Sequence, residues 1–236
     1  MRFSTRQIAF AGVLGAITVA LGLMPVGGFI TIPPISVTTM HIPTILAGIF
    51  EGPAVGGVVG AIFGAFSFWR AQTSVNPLDK LIFSNPLIAF VPRILIGVVS
   101  HYVFALIRGK KGEPVLLGCT TLVVGYTVYT AAASLSPAMR WALAVVVGAA
   151  ALFGVKSLYQ RLGHGPALAA VAGTLTNTVL VLSLCVAFGY LPGKVAAIVA
   201  VTNGVPEAAV AMVLTGLVYR STRSLLRTGP NGPKSR

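Results

Sequence analysis

Several stretches of roughly 20 residues pass without a single Asp, Glu, Lys or Arg, about the length a helix needs to cross a hydrocarbon core of ~30 Å. In that medium a chain must satisfy its backbone internally, so the segments have to be helices or a closed barrel. Charged residues make up 9% of the 236 and hydrophobic ones 56%, with a mean hydropathy of +0.90. A soluble domain carries about 25% charged residues. The fold class that follows is an all-α polytopic membrane protein forming one integral membrane domain over residues 1–236.

Seventeen Lys and Arg stand against four acidic residues, a net charge of +13. The basic residues cluster at the ends of apolar segments and not in runs interleaved with aromatics, which argues against nucleic acid. Glu51, Asp79, Glu113 and Glu207 are too few for paired-carboxylate catalysis or an oxygen-ligand metal site. Cys119 and Cys185 lie inside apolar segments and read as small buried residues. Ser/His/Asp sets, HExxH, CxxC and P-loop motifs are missing, so neither an enzyme nor a self-contained ATPase is expected, and no cofactor is implied.

Along the chain, a first span is expected from about Thr5 to Leu23. Gly27 to Met40, rich in Gly, Pro, Thr and β-branched residues, reads as an extended loop or short hairpin. His41 to Phe50 is too short to cross alone, and Glu51-Gly52-Pro53 ends it and starts the next helix. That helix, to about Trp69, carries Gly56, Gly60 and Gly64 at four-residue spacing, a face that lets two backbones approach closely. Arg70 to Ser84 reads as a polar loop, and Pro86 to Ile107 as a span. Pro114 to Ala133, Pro137 to Leu158, Pro166 to Tyr190 and Val195 to Tyr219 follow, with a basic tail over 221–236. The short piece included, this makes eight helical segments. Trp69 and Trp141 fall where an aromatic interfacial belt would lie.

Polar residues inside the spans are costly and mark candidate sites. Arg93 is the only cation away from the ends of a span, preceded by Pro92, which frees a backbone carbonyl. Either it meets a ligand, or it reaches the outer headgroups or pairs with Glu207. Asn203 and Glu207, four apart beside Pro206, share a helix face. Thr174, Thr176, Asn177 and Thr178 form a further island, for which helix-to-helix hydrogen bonding is the plainer reading. His41 stands next to the long loop, and His101 is read as structural.

Four ordered stretches carry a resemblance: Met40-His41-Ile42-Pro43 through Glu51-Gly52-Pro53, Phe90-Val91-Pro92-Arg93, Gly173-Thr174-Leu175-Thr176-Asn177-Thr178, and Asn203-Gly204-Val205-Pro206-Glu207. Together they resemble the substrate-binding S components of energy-coupling factor (ECF) vitamin transporters, leaning to the pantothenate-like branch. The resemblance implies a six-helix bundle in the cell membrane, a lid loop (27–40) over an outward-facing vitamin site, and partnership with a transmembrane coupling subunit and two ATPase subunits. It also implies that small residues on the first helix, here Gly12, Ala16 and Ala20, dock on the coupling subunit. For pantothenate, Arg93 would take the carboxylate while Asn85, Asn177 and Asn203 meet hydroxyls and amide, with Glu207 and His41 also at the site. Residues 114–158 depart from the family pattern as an inserted two-span hairpin. Riboflavin, folate or cobalamin as substrate, and a self-sufficient channel or facilitator lined by the glycine helix, are the rival readings.

With the N-terminus cytoplasmic, twelve of the 17 basic residues fall inside and four outside, with Arg93 within a span. The asymmetry follows the positive-inside rule and requires an even number of spans, both termini being cytoplasmic. Single cysteines at Thr31 and Ser74 should therefore react with an impermeant maleimide on intact cells, and one at Ser235 should not; the reverse pattern overturns this topology.

Overall fold

The computed structural model describes residues 3–24, 29–32, 35–74, 76–108, 118, 121, 125, 129, 136–162 and 164–228. Helix α1 (Thr5–Leu23) begins with a capping box in which Ser4 and Gln7 exchange side-chain-to-backbone hydrogen bonds. An antiparallel hairpin follows, β1 (Phe29–Ile32) with β2 (Ile35–Thr38), in a register that pairs Phe29 with Thr38. Next come α2 (Ile42–Glu51), α3 (Pro53–Thr73), α4 (Pro77–Phe83) and α5 (Pro86–Arg108). The chain continues through α6 (Pro137–Leu162), α7 (His164–Ala187) and α8 (Gly193–Thr228). Gly52, between α2 and α3, sits at φ 98°, a region that favours glycine and lets one helix end where the next begins.

Five of these helices are long and apolar enough to cross a membrane among the described residues: α1, α3, α5, α7 and α8. The apolar stretch of α6 is shorter, Pro137–Ala150. Eight helices are described, but the set is not the expected eight. The polar loop after α3 contains α4, started by Asn76, whose side chain accepts from the Leu78 N–H at 3.0 Å, with Pro77 in the first turn and Asp79 on its favourable dipole end. The expected span Pro114 to Ala133 lies outside the described residues except at positions 118, 121, 125 and 129. Helix α8 continues nine residues beyond Tyr219, because no helix breaker occurs before Gly229-Pro230. Residues 229–236 of the expected tail lie outside the described residues.

The core is organised around α3, α5 and α2. A Cβ on Gly56 would lie 2.8 Å from the Gly48 Cα and 2.9 Å from the Gly97 Cα; one on Gly60 would lie 2.8 Å from the Ile94 Cα, and one on Gly64 2.8 Å from the Ala89 carbonyl oxygen. The glycine face of α3 is thus packed against α5 along its whole length, and does not line a pore. His101 adds a polar tie, its Nδ1 lying 2.9 Å from the Gly48 carbonyl oxygen, which makes Nδ1 the protonated nitrogen. At the opposite end from the hairpin, Arg6 pairs with Glu51 at 2.7 Å and Gln7 donates to the Glu51 carbonyl. Helix α1 presents Gly15, Thr18 and Gly22 inward, against Ile62 and Phe66 of α3. Trp69 and Trp141 are both exposed.

Because Gly97 meets backbone, a side chain there cannot be absorbed by rotamer changes. Gly97→Ala should destabilise the protein by about 1–3 kcal/mol through forced separation of α3 and α5. Gly12→Ala, where a Cβ meets nothing within 4 Å, should leave stability unchanged. Thermal unfolding of the detergent-purified protein reads both; equal melting curves for the two variants would overturn the crossing as a source of stability.

Candidate functional site

Helix α5 carries its own exception to regular hydrogen bonding. Pro92 has no N–H, so the Ile88 carbonyl one turn earlier loses its helical donor. Arg93 fills the vacancy: its Nη1 donates to the Ile88 carbonyl at 2.6 Å. The guanidinium is 5% exposed and lies over two rings, 4.8 Å from the Phe83 centroid and 5.5 Å from that of Phe63. Both are cation–π contacts, which strengthen where water is excluded. Its Nε is buried without a hydrogen-bond partner. Arg93 therefore does not reach for the headgroups, and it is not ion-paired with Glu207; the ion pair found among the described residues is Arg6–Glu51.

Arg93 borders a cavity of about 620 Å³ at the hairpin end of the bundle, a size typical of small-molecule sites. Asn177 of α7, and Asn203 and Glu207 of α8, line the same cavity, together with Phe63, Ser67, Phe83 and Thr38. Asn177 Oδ1 is a second buried atom without a partner. Glu207, 8% exposed, accepts from the Thr38 N–H at 2.8 Å and from the Thr38 hydroxyl. Two buried opposite charges, Arg93 and Glu207, thus line the cavity alongside Arg70 and Asp79, with no direct hydrogen bond or ion pair between Arg93 and Glu207.

Two expected residues stand elsewhere. Asn85 accepts from the Leu87 N–H at 3.0 Å and so caps the start of α5; it is not part of the cavity lining. His41 is 1% exposed at the head of α2, both ring nitrogens unpartnered, and belongs to the packed core and not to the cavity wall. The threonine island also differs from helix-to-helix bonding. Thr174, Thr176 and Thr178 hydroxyls return to carbonyls four residues back in their own helix, at 2.9, 2.7 and 3.2 Å. Asn177 and Thr178 of the island both line the cavity, and Asn177 is the one with a buried polar atom left unpartnered. Phe63, Phe83 and Thr38 were not foreseen; Phe83 comes from α4, whose Asn-Pro-x-Asp start is a readable helix signal.

Residues 6–219 match the family described as ECF transporter, substrate-specific component. The chain belongs to that family. It is a multi-pass membrane transport subunit and not an enzyme. This S component is also similar to the pantothenic acid transporter PanT of Lactococcus lactis subsp. cremoris, 28% identical over 204 residues that cover 77% of this chain and 75% of that protein. The pantothenate transporter PanT of Leuconostoc mesenteroides subsp. mesenteroides is 30% identical over 107 residues, 45% of this chain. There the match spans about half of the relative, 49%. Among the described residues of the S component, no group of three or more His, Cys, Asp or Glu gathers to hold a metal.

Proposed function

We propose that this S component captures pantothenate at the hairpin end, which faces outside with both termini cytoplasmic, and delivers it through a complex with a transmembrane coupling subunit and two ATPase subunits. The observation that carries the substrate reading is Arg93: a buried guanidinium in a small-molecule cavity, with an unpartnered Nε and no carboxylate paired to it. A carboxylate is the complementary group, because a charge-assisted contact in a partly dehydrated pocket is stronger than at a surface. Asn177 Oδ1 offers an acceptor to a hydroxyl or amide N–H, and Asn203 adds a second amide. Two relatives that bear the name of pantothenate transporters support the same choice.

Calorimetric titration of the purified protein with pantothenate and with its uncharged alcohol analogue tests the reading. Pantothenate should bind far more tightly than the alcohol, and Arg93→Ala should weaken it by roughly 30-fold to several thousand-fold, the cost of removing one partner of a buried charge pair. Arg93→Lys should recover only part, since an ammonium lacks the bidentate fork. Equal binding of acid and alcohol, or wild-type affinity in Arg93→Ala, overturns the anion site and leaves riboflavin, folate and cobalamin as the ligands to titrate.

The docking part of the proposal rests on α1. Gly12, Ala16 and Ala20 are exposed, on a different face from the buried Gly15, Thr18 and Gly22, and small residues let a partner backbone approach closely. Ala16→Leu should keep ligand affinity while losing co-purification with the coupling subunit and uptake; lost affinity with an intact complex would overturn it.

A further inference from the structure

Glu207 is the one acidic residue within a described span, and its hydrogen bonds run to the hairpin and not to Arg93. A single oxygen, Oε1, receives both the backbone N–H and the hydroxyl of Thr38, at the end of β2. Beyond Thr38 the chain is fixed: Met40 and His41 are buried, and α2 is buried from Ile42 to Ile49 with Gly48 against the backbone of Gly97. Before β1, α1 ends at Leu23. The hairpin therefore leads into a buried helix, and it meets the cavity wall at the end of β2, where Thr38 is gripped. Thr38, Met40 and Glu207 all line that cavity.

We infer that Glu207 is a positioning residue: its carboxylate latches the end of the Phe29–Thr38 hairpin at the cavity wall and is neither a direct ion-pair partner of Arg93 nor a contact for the ligand. The inference rests on reading the cavity as the ligand site. A carboxylate suits a latch because donors to an ionised acceptor bind more strongly than to a neutral one, and both donors here converge on one atom. Taking up the Glu207 charge with Thr38 also leaves the guanidinium of Arg93 for an incoming anion. Seating the hairpin and binding an anion are then mutually supportive, since each engages a different one of the two buried charges, Glu207 and Arg93, on the cavity wall.

Access to the cavity, measured with no vitamin present, separates the latch from the ligand assignment. In a Cys119→Ser, Cys185→Ala background of the full chain in detergent, Ser67→Cys puts a thiol on the cavity wall and Ser136→Cys puts one at the exposed start of α6 as control. Glu207→Ala should speed bulky-maleimide labelling at position 67 roughly tenfold or more, the change in opening equilibrium expected from losing charge-assisted hydrogen bonds, with labelling at 136 unchanged. Thr38→Val, which keeps the N–H and loses the hydroxyl, should speed it less, and the double variant should match Glu207→Ala alone. Wild-type labelling at 67 in Glu207→Ala, or a Thr38→Val effect that adds in full on top of it, overturns the latch. If Glu207→Ala speeds labelling at both positions, the protein has loosened as a whole and Thr38→Val decides: faster labelling confined to 67 supports the latch, and an unchanged rate overturns it. A failed pantothenate titration beside a positive labelling result would discard the vitamin and keep the latch.

Discussion

The close approach of α3 and α5 along Gly56, Gly60, Gly64 and Gly97 is the contact from which the site is built. Lipid offers helices no hydrophobic reward for meeting, so they associate by packing, and packing is best where side chains are smallest. Glycine brings the backbones so near that a Cβ on Gly60 would lie 2.8 Å from the Ile94 Cα, the residue next to Arg93. The seam therefore fixes the height and rotation of α5 at the point where it carries its cation. The same seam receives α2 through Gly48, and so anchors the base of the hairpin.

Within that frame the electrostatics are arranged by substitution. Pro92 removes a backbone donor and Arg93 supplies one, so a defect in the helix becomes a tether for the guanidinium. Two aromatic rings cover the charge, one from the seam helix and one from α4. Glu207 is held by the hairpin through Thr38. A buried cation and a buried anion in one cavity would ordinarily pair; keeping them apart costs desolvation that their hydrogen bonds only partly offset. Separated buried charges of this kind are a cost to stability and not a source of it.

Helix α1 divides its labour between two faces. Gly15 and Gly22 seat it against α3, where the nearest atoms belong to Ile62, Phe66 and Met40, while Gly12, Ala16 and Ala20 stay outside. Its first turn is tied by the Arg6–Glu51 pair, with Arg6 68% and Glu51 8% exposed, so the tie joins one buried partner and one exposed one. A pair that open to solvent contributes little to stability on its own.

Much of the architecture was legible because it depends on the local chain alone. Apolar length marks α1, α3, α5, α7 and α8; Gly-Pro and β-branched composition marks the hairpin; and the expense of an ionised group in lipid singles out Arg93 and Glu207. The signal for α4 was also present in Asn76, Pro77 and Asp79, but polar content there outweighed it. What no local pattern contains is the partner of each polar group. Asn85 spends its side chain on Leu87, the threonines on their own helix, and His41 sinks into the core, whereas Thr38, Phe63 and Phe83 come to the charges from three separate elements. Sequence alone determined which residues must leave the lipid, since that cost belongs to each side chain. Which of them share a cavity was decided by the glycine crossing and the rotation it imposes on each helix, and that is a property of the packed bundle.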